Sequence, residues 1–200
     1  MAVNALHSAY AWIVSAIFPR HCVRCGEEGR LLCRWCTGVV EFGALPFAYA
    51  NPVVRELLRS WKYMGDLSAR DALLAKATAA WSERPLEAEA IVAIPLAGRR
   101  LRDRGFNQAE DIANWLSDRT GLPVVRALQR RDSFGYQAKR EKEDRATAME
   151  VSPFVVEGTV TGRFLLVDDV MTTGATIEAA KRVLLAAGAQ HVEHFTLIAG

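Results

Sequence analysis

Phe164-Leu-Leu-Val-Asp-Asp-Val-Met-Thr-Thr-Gly-Ala-Thr176 decides how this chain is to be read. Phe164 to Val167 is a continuous apolar run, the pattern of a strand buried on both faces of a parallel sheet. Two adjacent carboxylates, Asp168 and Asp169, follow at its carboxyl end, where they are costly without a partner. A vicinal diol suits them, because each carboxylate accepts from a hydroxyl. Thr172, Thr173, Gly174, Ala175 and Thr176 then lead into a helical pattern from Ala175 to Ala187, closed by Gly188. Successive N–H groups and the positive end of the helix dipole make a phosphate site at such a start, and Gly174 permits close backbone approach. Ribose hydroxyls beside a 5′-phosphate describe one ligand class, a ribose 5-phosphate derivative. A helix-capping Asp pair with turn-forming threonines is the plainer account of each residue alone. The whole string, with strand before and helix after, is more specific.

Around this segment, strands and helices alternate. Ala90 to Ile94 reads as a buried strand, Asn107 to Arg119 as a helix stopped at Gly121, Pro123 to Leu128 as a second short strand, and His191 to Ile198 as a final strand. That order predicts an α/β fold, a doubly wound and mainly parallel sheet with helices on both faces and ligands at the carboxyl ends of its strands. Upstream lie two helical patterns, Val53 to Met64 and Leu67 to Trp81, separated by the turn and cap Gly65-Asp66. Gln129 to Glu150 is polar and weakly patterned, either a long mobile loop or a surface helix.

Two hundred residues, half of them apolar, suffice for one such domain and a small appendage. We expect the division at residues 1–50 and 51–200. The net charge of +2 does not by itself single out nucleic acid as a partner. Local basic clusters, Arg99 to Arg104 and Arg126 to Arg145, are either solvated faces or polyanion sites. Ala5 to Phe18 is apolar, but the first Arg, Arg20, follows the run instead of preceding it, and the run is too short to span a bilayer. Leu6, Tyr10, Ile13, Val14 and Ile17 share one helical face, so an amphipathic helix and a cytoplasmic location are expected.

All four cysteines lie between Cys22 and Cys36. Cys22-x-x-Cys25 and Cys33-x-x-Cys36 are two pairs that each suit a tight knuckle, together a closed tetrahedral site for a structural Zn²⁺. The crowding argues against a spread of disulfides and for a reducing compartment. Redox chemistry of the thioredoxin kind calls for one such pair, and His21 reads as a bystander.

The acidic pair followed by Thr-Thr-Gly-x-Thr resembles the phosphoribosyl pyrophosphate (PRPP) motif of the type I phosphoribosyltransferases. The resemblance implies that Asp168 and Asp169 hold the ribose hydroxyls at the catalytic centre and that Thr172 to Thr176 hold the 5′-phosphate. Ile94-Pro-Leu-Ala-Gly-Arg-Arg100 occupies the place of that family's pyrophosphate loop, with Arg99 and Arg100 as charge-assisted contacts or as solvated turn residues. Joined to the cysteine knuckle, and with Trp61-Lys-Tyr-Met-Gly-Asp66 and Arg104-Gly-Phe-Asn-Gln108 between, the loop is similar to the ComF (competence protein F) family, related to the amidophosphoribosyltransferases. Where that family usually shows Arg followed by Asn, this chain has Arg145-Ala146, a departure that tells against a substrate-gating role for the segment. Lys62 and Arg104 are candidate phosphate contacts; Asn107 is another, or simply an N-cap. The resemblance implies either transfer of a phosphoribosyl group to a nitrogen acceptor with Mg²⁺, or a non-catalytic accessory in DNA uptake that binds PRPP and single-stranded DNA beside a competence helicase. A housekeeping PRPP sensor is a third reading.

Overall fold

A computed structural model describes residues 21–81, 86–131 and 152–200. The expected N-terminal helix, the departure at Arg145 and most of the polar stretch after Gln129 lie outside these residues. The chain forms two compact units, one ending at Ala80 and the other beginning at Trp81.

In the first unit the cysteine cluster leads into a one-and-a-half-turn helix, α1 (Arg34–Val39), and then a two-residue extended piece, β1 (Phe47–Ala48). The helices α2 (Pro52–Met64) and α3 (Leu67–Ala80) follow. Val54, Leu57, Leu58 and Trp61 bury one stripe of α2, and Ala69, Ala72, Leu73 and Ala77 one stripe of α3, so the two helices pack face to face. Asn51 caps α2 by accepting from Val53 N–H at 2.9 Å, with Pro52 in the first turn. Asp66 is buried and caps α3: its Oδ1 accepts from Ser68 N–H at 2.9 Å and Ser68 Oγ at 2.7 Å, its Oδ2 from Ser60 Oγ at 3.2 Å. Much of the Trp61–Asp66 string thus has a packing and capping account.

The second unit is a parallel sheet with a helix on each face. β2 (Ala90–Ala93) pairs with β5 (Gly162–Met171), and β5 with β6 (Ala189–Ala199), all parallel. Phe164, Leu165, Leu166 and Val167 are buried on both sides, as their run of apolar residues requires. On one face Val92, Phe164, Leu166 and Val192 pack on Ile177, Ala180 and Leu184 of α6 (Ala175–Ala186). The opposite face lies against α5 (Gln108–Thr120), where Trp81, Trp115 and Phe195 meet with ring centroids 5.7–6.0 Å apart. Gly188 has to be glycine at the turn from α6 to β6, because at φ 114° a Cβ would stand 2.7 Å from the Val160 carbonyl oxygen.

Two expectations are corrected. Pro123 to Leu128 is not one strand: only Val124 bridges Ile91, in parallel, with the Ile91 N–H donating to the Pro123 carbonyl and the Val125 N–H to the Ile91 carbonyl. The chain then leaves the sheet, and β3 (Leu128–Arg130) pairs antiparallel with β4 (Phe154–Val156) in a separate ribbon, so Gln129 and Arg130 belong to a strand rather than to a loop or surface helix. The arginine-rich stretch after β2 is also helical, as α4 (Gly98–Arg104), ended by Gly105 at φ 78°.

Asn107 ties these parts together. Its Oδ1 accepts from Ala109 N–H at 3.2 Å, capping α5, while its Nδ2 donates to the Ile94 carbonyl at 3.0 Å, at the exit of β2. Asn107→Ala removes both bonds from a buried site and is expected to cost about 2–3 kcal/mol, read as a lower urea midpoint at unchanged slope.

Candidate functional site

The site is built where β5 outruns its neighbour. Pairing with β2 stops at Ala93 opposite Val167; the Ile94 N–H adds one bond to the Val167 carbonyl at 2.9 Å, and Pro95, with no N–H to give, carries the chain away. On its other side β5 stays paired with β6 as far as Met171 opposite Ala199. Asp168 and Asp169 stand on this overhang, inside the strand rather than after it, and both are half-buried. The pleat sends successive side chains to opposite faces. Asp168 and Asp169, as strand neighbours, therefore point to opposite sides of β5. Asp168 Oδ1 also accepts from the Asp169 N–H at 2.9 Å.

Thr172, Thr173 and Gly174 make the turn from β5 into α6. Gly174 is left-handed at φ 75° and gives α6 no side-chain cap; Thr173 Oγ1 accepts from Ala175 N–H at 3.4 Å. The first α6 bond of the usual spacing is Glu178 N–H to the Gly174 carbonyl at 2.9 Å, so the N–H groups of Ala175, Thr176 and Ile177 lie ahead of the helix's own ladder. Thr172, Thr173, Ala175 and Thr176 are exposed. A carboxylate pair at a strand end and a helix N-terminus reached through a glycine turn can take a diol and a phosphate at once.

The basic residues sort themselves. Arg99 and Arg100 lie in the first turn of α4 and are exposed; Arg99 pairs along the helix with Asp103 at 4.0 Å. Arg104 Nη1 donates to Gln108 Oε1 at 3.1 Å, and Gln108 is buried with its Nε2 unpartnered. Lys62 lies in the first unit, in the last turn of α2. Arg130 on β3 escaped individual notice in the sequence. Burial lowers its pKa first, Arg100 pushes it further down, and Asp168 draws it up. The structure thus brings Arg100, Arg130 and Asp168 within electrostatic reach of one another. A cavity of about 470 Å³ borders Ala93, Pro95, Glu110, Asn114, Arg126 and Gln129, and none of the residues from Asp168 to Thr176 lines it.

The four cysteines converge as their spacing predicts. Their Sγ atoms all lie within 4.8 Å of one another, with Cys25 and Cys33 at 3.7 Å. A tetrahedron with Zn–S bonds of about 2.3 Å has edges of roughly 3.8 Å, so the donor set fits zinc. Backbone amides support the sulfurs: Cys33 N–H donates to Cys22 Sγ at 3.5 Å and Cys36 N–H to Cys33 Sγ at 3.4 Å. Burial opposes ionisation of Cys22, yet amides of Cys33, Cys25 and Arg24 pull its pKa down to about 6. Glu27, bonded to the Cys33 thiol, heads the causes that raise Cys33 to about 12, and burial raises Cys36. These four groups together could hold a metal ion such as zinc.

Among the described residues no helix is long and apolar enough to cross a membrane. A phosphoribosyl transferase domain model matches residues 102–200, which include the Asp168–Thr176 loop but neither β2 nor Arg99 and Arg100. Competence protein ComFC of Streptococcus pneumoniae (strain ATCC BAA-255 / R6) is 32% identical over 170 residues, 82% of this chain and 71% of that protein. Competence protein ComFC of Bacillus subtilis (strain 168) is 31% identical over 150 residues, 74% of this chain and 60% of that protein. DNA utilization protein YhgH of Salmonella typhi is 32% identical over 114 residues, 54% of this chain and 48% of its own length, so the chain spans less than two thirds of the latter two relatives. The acidic overhang, the glycine turn into α6 and the gathered cysteines are therefore features of a chain that belongs to the ComFC family and carries a phosphoribosyl transferase domain.

Proposed function

We propose that the Asp168–Thr176 loop binds PRPP and that the chain transfers its phosphoribosyl group to a nitrogen acceptor. The observation that carries this reading is the acidic overhang of β5 running through the Gly174 turn into α6. Asp168 and Asp169 accept from the ribose hydroxyls, and Thr172 to Thr176 donate to the 5′-phosphate. Transfer breaks the C1–pyrophosphate bond through an oxocarbenium-like state, and the acceptor nitrogen forms the new bond from the opposite face. The carboxylates hold the ring and favour its developing positive charge, while Arg99 and Arg100 favour the leaving anion. Mg²⁺ bound with the substrate supplies further charge neutralisation. No protein nucleophile is needed.

A second reading is favoured by the relatives' names and by Trp35, which is 67% exposed on α1 with the Arg24 guanidinium 5.9 Å from its ring centroid. Here PRPP is bound without turnover, and Trp35 and the basic residues around the cysteines stack and pair with single-stranded DNA in a cytoplasmic DNA-uptake role, beside a competence helicase. Titration calorimetry with PRPP and Mg²⁺, followed by exchange of labelled pyrophosphate into PRPP with candidate bases, separates the two. Binding with exchange supports transfer. Binding without exchange, joined to salt-sensitive single-strand binding, supports the accessory role. Absence of PRPP binding overturns both.

A further inference from the structure

The cavity beside the end of β2 is chemically unlike the Asp168–Thr176 loop, none of whose residues line it. Its volume of about 470 Å³ suits a small molecule. Ala93, which ends β2, Pro95 and the buried Leu128 give it an apolar lining. Its polar groups come from separate parts of the chain. Glu110 lies in the first turn of α5, and Asn114 follows one turn later on the same helix face. Arg126 and Gln129 come from the segment that leaves the sheet edge. Glu157 follows β4, and its N–H donates to the Ala127 carbonyl at 3.0 Å. The sheet edge is open here. The bridge to Ile91 uses the Pro123 carbonyl and the Val125 N–H, so the N–H and carbonyl of Val124 point away from β2.

Among the described residues the side chains of Glu110, Asn114, Arg126, Gln129 and Glu157 make no hydrogen bond or ion pair, with one another or with a neighbour. Glu110 complements the dipole of α5, which is a structural reason for its charge. Glu157, after a three-residue strand, has no such reason. Two carboxylates and one guanidinium around one cavity disfavour a phosphate. They favour a ligand that carries both an ammonium and a carboxylate. We propose that this cavity binds a small zwitterion of the α-amino acid class. Glu110 and Glu157 accept from its ammonium, and Arg126 donates to its carboxylate. The carboxamides of Asn114 and Gln129 both donate and accept, and they read a polar side chain. The site stands whether or not the Asp168–Thr176 loop binds PRPP.

The test is saturation-transfer NMR of the full chain with each common amino acid, followed by calorimetry of those that bind. Each binder is then compared with its decarboxylated amine, as lysine with cadaverine or histidine with histamine. At least one amino acid is expected to bind with Kd below about 1 mM, and its amine at least about tenfold more weakly. Arg126→Gln should weaken the amino acid by about tenfold and leave the amine within about twofold. Glu157→Gln should weaken both by about tenfold. Both residues are exposed, so melting curves should match wild type. The comparison of acid with amine needs no variant and stands if one melts early. No amino acid bound below that limit, an amine held as tightly as its parent, or unchanged amino acid affinity in either variant overturns the assignment.

Discussion

Asp168→Asn and Asp169→Asn are each expected to lower PRPP affinity by about ten- to hundredfold while leaving the fold as stable as before. The affinity loss follows from charge: a carboxylate–hydroxyl bond contributes about 1.5–3 kcal/mol, and an amide of the same shape keeps only the neutral part. The unchanged stability follows from position. Both side chains are half-buried on a strand overhang, not in the core, so removing either charge leaves no large apolar cavity. Removing one also relieves repulsion between sequence neighbours. The two variants are not equivalent, because the pleat sets them on opposite faces. Asp168 is the carboxylate that favours the charged form of Arg130. Titrations with PRPP, together with thermal melts, check both points. PRPP affinity unchanged in both variants would sink the assignment of the loop, whatever the melts show.

Much of this was legible in the sequence because it is local. The Asp168–Thr176 string combines a buried run, a turn glycine and a helix start, all contiguous. The α5 boundaries were readable because Asn107 and Gly121 are the physical caps of that helix. The cysteine spacing was enough for the same reason: two knuckles need only a few residues each. What was missed is non-local or lacks periodicity. Each ribbon strand is three residues long, too short for alternation to register, and β3 pairs with a segment more than twenty positions on. The α4 helix buries none of its residues, so no apolar face announced it. Arg130 stood in a visible basic cluster, but only the fold sets it inward over Phe154, away from the solvated arginines around it.

Removing zinc is expected to dissolve the segment from Cys22 to Val40 as an ordered structure. A six-residue helix such as α1 has no stability of its own in water. Here its first turn is organised by the cluster, with Cys33 as N-cap accepting from the Cys36 N–H. Apart from the cysteines, only Leu32 and Val40 are buried apolar side chains in this stretch, too few to offset the chain entropy of ordering it. Metal binding is expected to supply the difference, and zinc sites in small domains contribute about 10–16 kcal/mol at neutral pH. Two results follow. The purified chain carries one zinc per molecule by elemental analysis, and Cys36→Ser, at a fully buried ligand, lowers zinc affinity by at least about a hundredfold. Chelation abolishes amide-exchange protection across Cys22 to Val40 while β5 and α6 keep theirs. The pH dependence has a fixed sign, because zinc binds thiolates and each one formed on binding releases a proton. Cys33, raised to about 12, and Cys36, also raised, surrender theirs only to the metal, so affinity climbs steeply with pH in the neutral range. Cys22, whose pKa is lowered to about 6, already offers a thiolate at neutral pH, and acid that protonates the sulfurs is expected to release zinc into a colorimetric chelator. Protection of Cys22 to Val40 that survives complete removal of the metal would mean that packing, not coordination, shapes this part of the chain.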